Sequence, residues 1–495
     1  MNDMRQRLLE MERKNLIGKL ITLIQLLVSV ICIVTVAGSG MLPKKYLIFL
    51  IGALAVLFGA THILQYPKNK VLRYTGMIIS LLMTIILAAI SMGMMKTDDV
   101  LKKVGGATYK TDNMVVVVKK GDSAKNIEDA EDYRFGYQTA VDQKNTDKMI
   151  KDIEKKVGKD VKTEEYESLT DEANALLNGN VDAAVFNEGY MSMIDESVEG
   201  FSEKVKILYQ YGIKTKVKSE KKADVTEPFN VFISGIDVAG PITTNSRSDV
   251  NIIAVVNPQT HQILLVTTPR DYYVPIPGIS GGQRDKLTHA GIYGIDASMR
   301  TLGELYETDI NYYARLNFTS MIDIVDTLGG IDVYSEYEFT TSEDSEHVMD
   351  VQKGYNHFNG EEALAFCRER HNVPGGDNQR GKDQQAVITA ILKKCLSPTM
   401  LLKANAIMEQ VSKDIETNMS QEEINALIKY QLSNNPAWTI QSVAAEGTNT
   451  TGTCYSSGDT ELFIMEPVES SVQNIINLAN IVEEGGVLTE GEQLN

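Results

Sequence analysis

Three long stretches free of Lys, Arg, Asp and Glu constrain this chain more than anything else in it. They cover residues 20–37, 46–65 and 74–95, which is 18, 20 and 22 positions. A helix rises about 1.5 Å per residue, so each stretch reaches across a hydrocarbon core of about 30 Å, the first with little tilt to spare. A cleaved leader explains one such run but not three. The sequence predicts three transmembrane helices.

Their direction follows from the basic residues around them. Arg5, Arg7, Arg13, Lys14 and Lys19 precede the first run. Lys44 and Lys45 lie in the first connecting loop, and Lys68, Lys70 and Arg73 in the second. Lys and Arg stay preferentially on the cytoplasmic side, so the N-terminus is expected inside. Three crossings then put everything from about residue 96 onward outside the cell, as the large extracellular region of a multi-pass membrane protein. Charge divides at the same point. Residues 1–95 hold ten Lys/Arg against three Asp/Glu, and the rest holds 38 against 63. Such an acidic surface repels phosphate backbones, which disfavours nucleic acid as a partner. Within the spans, His62 is expected as a satisfied or interface-facing histidine rather than a proton relay. Gly38, Gly40, Gly52, Gly59 and Gly93 are expected to let helices approach closely.

The outer region divides again, giving four parts: 1–95 with the spans, an accessory domain 96–225, a larger domain 226–482 and an acidic tail 483–495, expected to be disordered. In the accessory part, strands are predicted at 114–118, 132–137 and 182–186. Helices are predicted at 146–157 and 168–177, with Gly179 as a C-cap. The order β-β-α-α-β marks a small α/β domain, and a charge-rich linker at 214–222 closes it. The wording of 116–122 and 166–186 is similar to half of an extracellular solute-binding protein, which is a hint of fold alone.

The larger domain reads as layered α/β with a mixed central sheet. Strands are predicted at 229–236, 250–256, 262–268, 331–334 and 363–367, and helices at 319–328 and 384–396. The last shows an apolar stripe of Val387, Ile388, Ile391, Leu392, Cys395 and Leu396. Ser420 and Glu423 form a capping box for a helix to about residue 432. Strands at 438–445 and 461–466 and a helix at 469–481 complete the domain. The four cysteines lack C-x-x-C spacing and read as small core hydrophobes, with a Cys367–Cys395 bridge left open.

Charged residues gather at the ends of these strands. Asp237 follows the first and Asp249 precedes the second, after Arg247. Arg270 and Asp271 follow the third. A hairpin of the second and third strands brings Asp249 beside Arg270, and a first strand running parallel to the third adds Asp237. Arg368 and Arg370 end the 363–367 strand and, two apart, share a side while extended. Asp377 and Arg380 follow in a glycine-bearing loop, and Gln384 opens the next helix, whose N-terminus favours an anion. Lys286 adds a further positive group. Two acids and several arginines at one sheet edge suit a pyrophosphate: carboxylates hold Mg²⁺ and guanidinium forks grip phosphate oxygens. Plain surface ion pairs at strand ends fit the spacing equally well. Other chemistries lack their motifs. There is no His-Glu-x-x-His, no Walker loop and no Gly-x-Ser-x-Gly, and Gly281-Gly282 reads as a turn.

In residues 233–237, 247–249, 268–271, 286–290, 363–370 and 377–385 the chain closely resembles the LytR–CpsA–Psr family of Gram-positive cell-envelope proteins. Three spans and an accessory domain are similar to its capsule-associated CpsA type. The resemblance implies transfer of a glycopolymer, capsular polysaccharide above all, from an undecaprenyl-pyrophosphate carrier to peptidoglycan, through a phosphodiester on a muramic acid hydroxyl. Carried over by position, Asp237 and Asp249 are implied as Mg²⁺ ligands and Arg270, Asp249, Arg368 and Arg370 as catalytic. Arg247, Lys286, Arg380, Gln384 and Asp377 are implied as substrate-binding, and a tunnel lined by apolar residues of 318–328 and 387–396 would take the lipid. Cys367 departs from the aliphatic residue expected there. The general base stays open between the two aspartates and a metal-bound water. Three other functions use the same features: a polyprenyl-pyrophosphate phosphatase, a non-catalytic regulator of capsule synthesis, and solute binding by 96–225.

Overall fold

The computed structural model describes residues 2–40, 42–67, 69–104, 109–216, 224–236, 245–345, 347–397, 400, 407 and 415–488. The chain divides into two compact units, Met1–Lys103 with Cys395–Ser412 and Ser420–Pro436, and the remainder.

The first unit is built on α1 (Asn2–Gly38), α2 (Lys44–Ile63) and α3 (Lys70–Val104). Their segments Leu16–Gly38, Lys44–Ile63 and Lys70–Gly93 are long and apolar enough to cross a membrane, matching the three predicted spans. His62 is satisfied as expected: Nδ1 lies 3.0 Å from Thr22 Oγ1 and Nε2 3.2 Å from the Tyr66 hydroxyl. The five glycines expected at close approaches do not make them, since each has open space where a Cβ would stand. Close approach falls instead at Gly18 and Gly76, both against Gln65, whose polar head fills the gap between helices. Helix Gln421–Asn434 also belongs to this unit and starts at the predicted capping box. The Glu423 carboxylate accepts from the Ser420 amide at 2.6 Å and Ser420 Oγ from the Glu423 amide at 3.4 Å.

In the second unit the accessory domain holds a five-stranded sheet of β1 (Tyr109–Lys119), β2 (Arg134–Gln138), β3 (Lys162–Tyr166), β4 (Ala183–Asn187) and β5 (Val205–Lys216), in the order β3-β2-β4-β1-β5. Strand side chains alternate between faces. Val115 and Val117 enter one core with α5 (Leu169–Asn178) and α6 (Met191–Ser197), while Met114, Val116 and Val118 enter another with α4 (Gln143–Val157). The sheet is covered on both faces, which is why β1 and β4 read as unbroken apolar runs. Sequence reading missed β3 and β5. The former exposes four of its five residues, and the last three residues of the latter fall in the segment read as linker.

The larger sheet is mixed, as predicted. β6 (Phe229–Ile236), β7 (Ser248–Asn257) and β8 (Gln262–Thr267) form an antiparallel meander. Strand Tyr312–Asn317 is parallel to β6, with Ile415–Thr417 antiparallel outside it, and Thr439–Ala444 is parallel to β8. Phe232, Ile253, Val255, Leu264 and Val266 face helices Ile295–Leu305 and Glu469–Glu483. Helix Asp377–Cys395 takes the opposite face, where Gly381 stands over the Thr267 methyl and Gln385 Nε2 donates to the Val443 carbonyl at 2.8 Å.

Three expectations are corrected, and one open point is closed. Residues 363–367 are not a strand but the centre of helix Gly360–Arg368. A five-residue apolar run fits either element, and here Asn359 and Glu362 cap one another to start a helix. Asp377 and Arg380 lie not in a loop but in the first turn of the next helix, so Gln384 sits inside it rather than opening it. The 483–495 tail is docked at its start: Glu483 ends a helix, Leu488 is buried and its amide donates to Gln262 Oε1 at 2.9 Å. The bridge left open is absent: all four cysteines are free, as the reading of them as small hydrophobes implies.

Candidate active site

The meander delivers the charges. β6 and β8 point the same way with β7 between them, so the end of β6, the start of β7 and the end of β8 form one edge. Gly235 pairs with Val250 and Ile236 with Ser248, which leaves Asp249 as the extra residue of a bulge. A bulge re-aims the side chain it carries. Gly235 permits it, because a Cβ there would stand 2.7 Å from that of Val250. Asp249 thereby reaches Arg270 beyond β8, with Oδ1 2.7 Å from Nη1.

From this pair an alternating chain of charge runs on. Arg270 Nε lies 3.5 Å from Asp271, and the other Asp271 oxygen lies 3.4 Å from Lys286 Nζ. Lys286 Nζ is also 2.9 Å from Glu196, whose second oxygen holds Arg247. The Lys286 side chain is 6% exposed, and two carboxylates hold its charge in that setting. For Glu196, burial alone would push the carboxyl up. The Lys286 hydrogen bond outweighs this, with the charges of Lys286, His289 and Arg247, and holds it below the ordinary value.

Four predicted residues, Arg247, Asp249, Arg270 and Lys286, are thus brought into one connected group. Arg380 and Gln384 lie on the helix whose Gly381 covers the end of β8, and Gln384 Nε2 is 3.5 Å from the Cys367 carbonyl. Arg368 ends its helix half-buried. Arg370 is exposed two residues on, so the shared side expected of an extended pair is not formed. What fixes this turn is Glu369, buried, whose Oε1 accepts from the amides of Arg370, His371 and Asn372. Asp237 and the Asp377 side chain lie outside the described residues.

Sequence reasoning assigned no role to Glu196, Glu369 or Asp383. Glu196 is 51 positions from Arg247 and 90 from Lys286, and no periodicity links them. Asp383 is 3% exposed, with Oδ1 accepting from Gln379 Nε2 at 3.0 Å and Oδ2 unpartnered among the described residues. Burial pushes its carboxyl from 3.8 to about 7. The Gln379 hydrogen bond opposes that shift and the charges of Glu336 and Glu369 assist it.

Among the described residues no group of three metal-ligating side chains occurs. Asp249 fits a hard cation of another kind. It spends Oδ1 on Arg270, and Oδ2 has no described partner. Mg²⁺ keeps several waters and takes phosphate oxygens, so one or two carboxylates suffice. A cavity of about 680 Å³ opens at the Phe229 end of β6, away from these charges.

The model of the LytR_cpsA_psr family matches residues 195–466, more than half of the sequence, and the chain belongs to that family. A second model, described as DNA polymerase processivity factor, matches residues 69–186. That stretch starts one residue before α3 and stops in β4, one strand short of the accessory sheet. Among curated relatives, a polyisoprenyl-teichoic acid–peptidoglycan teichoic acid transferase TagU of Bacillus cereus is 34% identical over 211 residues. The match covers 42% of this chain and 66% of the relative, just under two thirds. The protein of that name from Enterococcus faecalis is 34% identical over 42% of this chain and 68% of its own. The crystal structure of B. subtilis TagV is 24% identical, covering 52% of this chain and 98% of its own, with a TM-score of 0.45.

Proposed function

We propose that this chain is a membrane-anchored transferase that moves a glycopolymer, of the capsular class, from a polyprenyl-pyrophosphate carrier to peptidoglycan outside the cell. The observation that carries the reading is the Asp249–Arg270 pair, set by a bulge at the strand edge and continued through Asp271 to the buried Lys286. Preorganised cations aimed at developing charge are the main resource of phosphoryl transfer. The family and the transferase names of its members support the reaction class. The basic residues around the three spans support a cytoplasmic N-terminus and hence a catalytic domain outside the cell.

The acceptor hydroxyl oxygen attacks the sugar-side phosphorus, a new P–O bond forms, and the bond to the lipid-side phosphate breaks. Polyprenyl phosphate leaves with the bridging oxygen, and the product is a phosphodiester. Arg270, Arg380 and Arg368 neutralise the charge that gathers on the two phosphates, and Arg370, exposed at the rim, meets the incoming anion. Gln384 and Asp377 complete the binding set on the covering helix. The hydroxyl proton passes to a strand-end carboxylate, for which Asp249 is the described candidate. Asp249, with Asp237, would hold Mg²⁺, which supplies charge neutralisation to the phosphate oxygens when bound. Half-buried Met321, Ile322, Ile388, Ile391 and Leu392 support a lipid-facing role for helices Phe318–Thr327 and Asp377–Cys395.

The test supplies full-length protein with a labelled lipid-pyrophosphate oligosaccharide, peptidoglycan and Mg²⁺, and follows label joined to the wall fraction. Arg270→Ala is expected to lower transfer by about a thousandfold with its melting temperature unchanged, and EDTA to do the same. Soluble sugar released without attachment would make the protein a pyrophosphatase instead. Undiminished transfer by Arg270→Ala would remove the site.

A further inference from the structure

Lys286 ends a strand of only three residues, Arg284–Lys286, and carries a compact charge on a flexible four-carbon stem. Such a cation serves a developing negative charge only where its place is set before the reaction. Two carboxylates set the head. Nζ lies 3.4 Å from Asp271, beyond β8, and 2.9 Å from Glu196 on α6. The shorter contact thus comes from the accessory domain, 90 positions away along the chain. Glu196 is itself held, because its second oxygen is paired with Arg247. With both oxygens engaged inside the molecule, it acts on a substrate only through the cations it holds.

The accessory domain reaches the backbone end of Lys286 as well. The Tyr455 hydroxyl donates to the Ala140 carbonyl at 2.9 Å. The next residue, Ser456, donates to Asp285 from its amide at 3.1 Å and from its hydroxyl at 3.0 Å. Asp285 also accepts from the Lys286 amide at 2.8 Å and lies 2.7 Å from His289 Nδ1. Ser456, Asp285 and His289 are all buried. Ser456 Oγ lies 3.1 Å from that same Nδ1. A serine nucleophile and its aspartate take opposite nitrogens of the histidine between them, so this trio is a brace and not a catalytic triad. Close packing fixes α6 in its turn. Tyr190 stacks beside Tyr293 with ring centroids 6.1 Å apart, and Ile292 is buried in the accessory core. A Cβ on Gly189 would come within 2.9 Å of the Asn245 carbonyl oxygen.

We propose that Glu196 is a positioning residue for the transfer reaction: the accessory domain fixes the Lys286 ammonium at the sheet edge, through Glu196 at its head and through Tyr455 and Ser456 at its base. This rests on the transferase reading for the reaction that Lys286 serves. Charge and position separate in consequence. Without the Glu196 carboxylate the edge is more positive and holds a pyrophosphate no less tightly, while the ammonium loses its set place in the transition state. The mark of such a residue is a fall in kcat with no rise in the donor KM.

The test compares the unaltered full-length chain, Glu196→Gln, Lys286→Met and the double variant in detergent micelles. The donor is a labelled polyprenyl-pyrophosphate disaccharide and the acceptor is peptidoglycan. Glu196→Gln is expected to lower kcat about tenfold with the donor KM unchanged or lower, and Lys286→Met to lower it at least as far. The double variant is expected to match Lys286→Met within about twofold, because Glu196 has nothing left to hold. Losses that multiply overturn the proposal, as does a Glu196→Gln chain that keeps its kcat or raises its donor KM. A second measurement needs no turnover: acylation of Lys286 by an N-hydroxysuccinimide ester, read by mass spectrometry. Glu196→Gln is expected to speed it several-fold relative to the other lysines, and an unchanged rate overturns the proposal. If Glu196→Gln does not fold, Glu196→Asp, which shortens the reach by one methylene, replaces it in both measurements. Faster acylation in a chain that transfers nothing ends the transferase reading and leaves the brace standing. Transfer with multiplying losses does the reverse, and no transfer with unchanged acylation overturns both.

Discussion

Asp383 gives the sharpest quantitative expectation. It is buried on the helix that carries Arg380 and Gln384, with one oxygen held by Gln379 and the other unpartnered among the described residues. Its folded-state value of about 7, against 3.8 when free, means that the native chain binds this proton more tightly than the unfolded one. An acid raised in this way favours folding at low pH. Stability therefore declines as pH rises from about 4 to about 7 and levels off above, the opposite of an ion-paired carboxylate. At about 1.4 kcal/mol per pH unit the full span is a ceiling of about 4 kcal/mol, and relaxation of a buried site brings it to about 2. Asp383→Asn replaces the protonated acid almost atom for atom and keeps the acceptor that Gln379 uses. The variant is expected to match the parent near pH 4 and to exceed it by about 2 kcal/mol at pH 8. The assay is denaturant unfolding of the detergent-solubilised protein across pH. Its probe is the fluorescence of the single tryptophan, Trp438, just before the strand to which Gln385 of the same helix donates. A difference that does not change with pH, or a variant less stable at pH 8, would refute the argument.

Three further expectations are independent of it. Gly360→Ala should destabilise by about 1–3 kcal/mol in the same unfolding assay, because a Cβ would stand 2.5 Å from the backbone oxygen of Ile322, with nothing flexible to yield. The thiols of Cys395 and Cys454 are pushed by burial up to about 11 and about 12, and that of Cys367 further. Maleimide at pH 8 should therefore leave all three unmodified in the native protein and label them after denaturation, as read by mass spectrometry. Removing Mg²⁺ should abolish wall attachment and restore it on readdition, with no change in melting temperature.

Much of this was legible in the residues. Three uncharged runs dictate three helices of crossing length, because composition over about 20 positions needs no tertiary context. The strands of the meander were placed to within two residues, and from them the meeting of Asp249 with Arg270, since a hairpin ties the start of one strand to the end of the other. Residues 363–367 were not legible. An apolar run of that length takes its form from what caps it and what it packs on, and Asn359 with Glu362 decided for a helix. With it moved the whole setting of Arg368, Arg370, Arg380 and Gln384.

The sequence by itself determined the membrane helices, the mixed α/β sheet and the residue types at its working edge, because each rests on periodicity or on neighbours close along the chain. Only the tertiary structure decided that Asp249 occupies a bulge, that Asp383 is buried without a partner for one oxygen, and that Glu196 closes the charged chain from another domain. The Glu196 contacts join positions 51 and 90 residues apart, the bulge is a matter of strand register, and the Asp383 state depends on burial, none of which leaves a local signature.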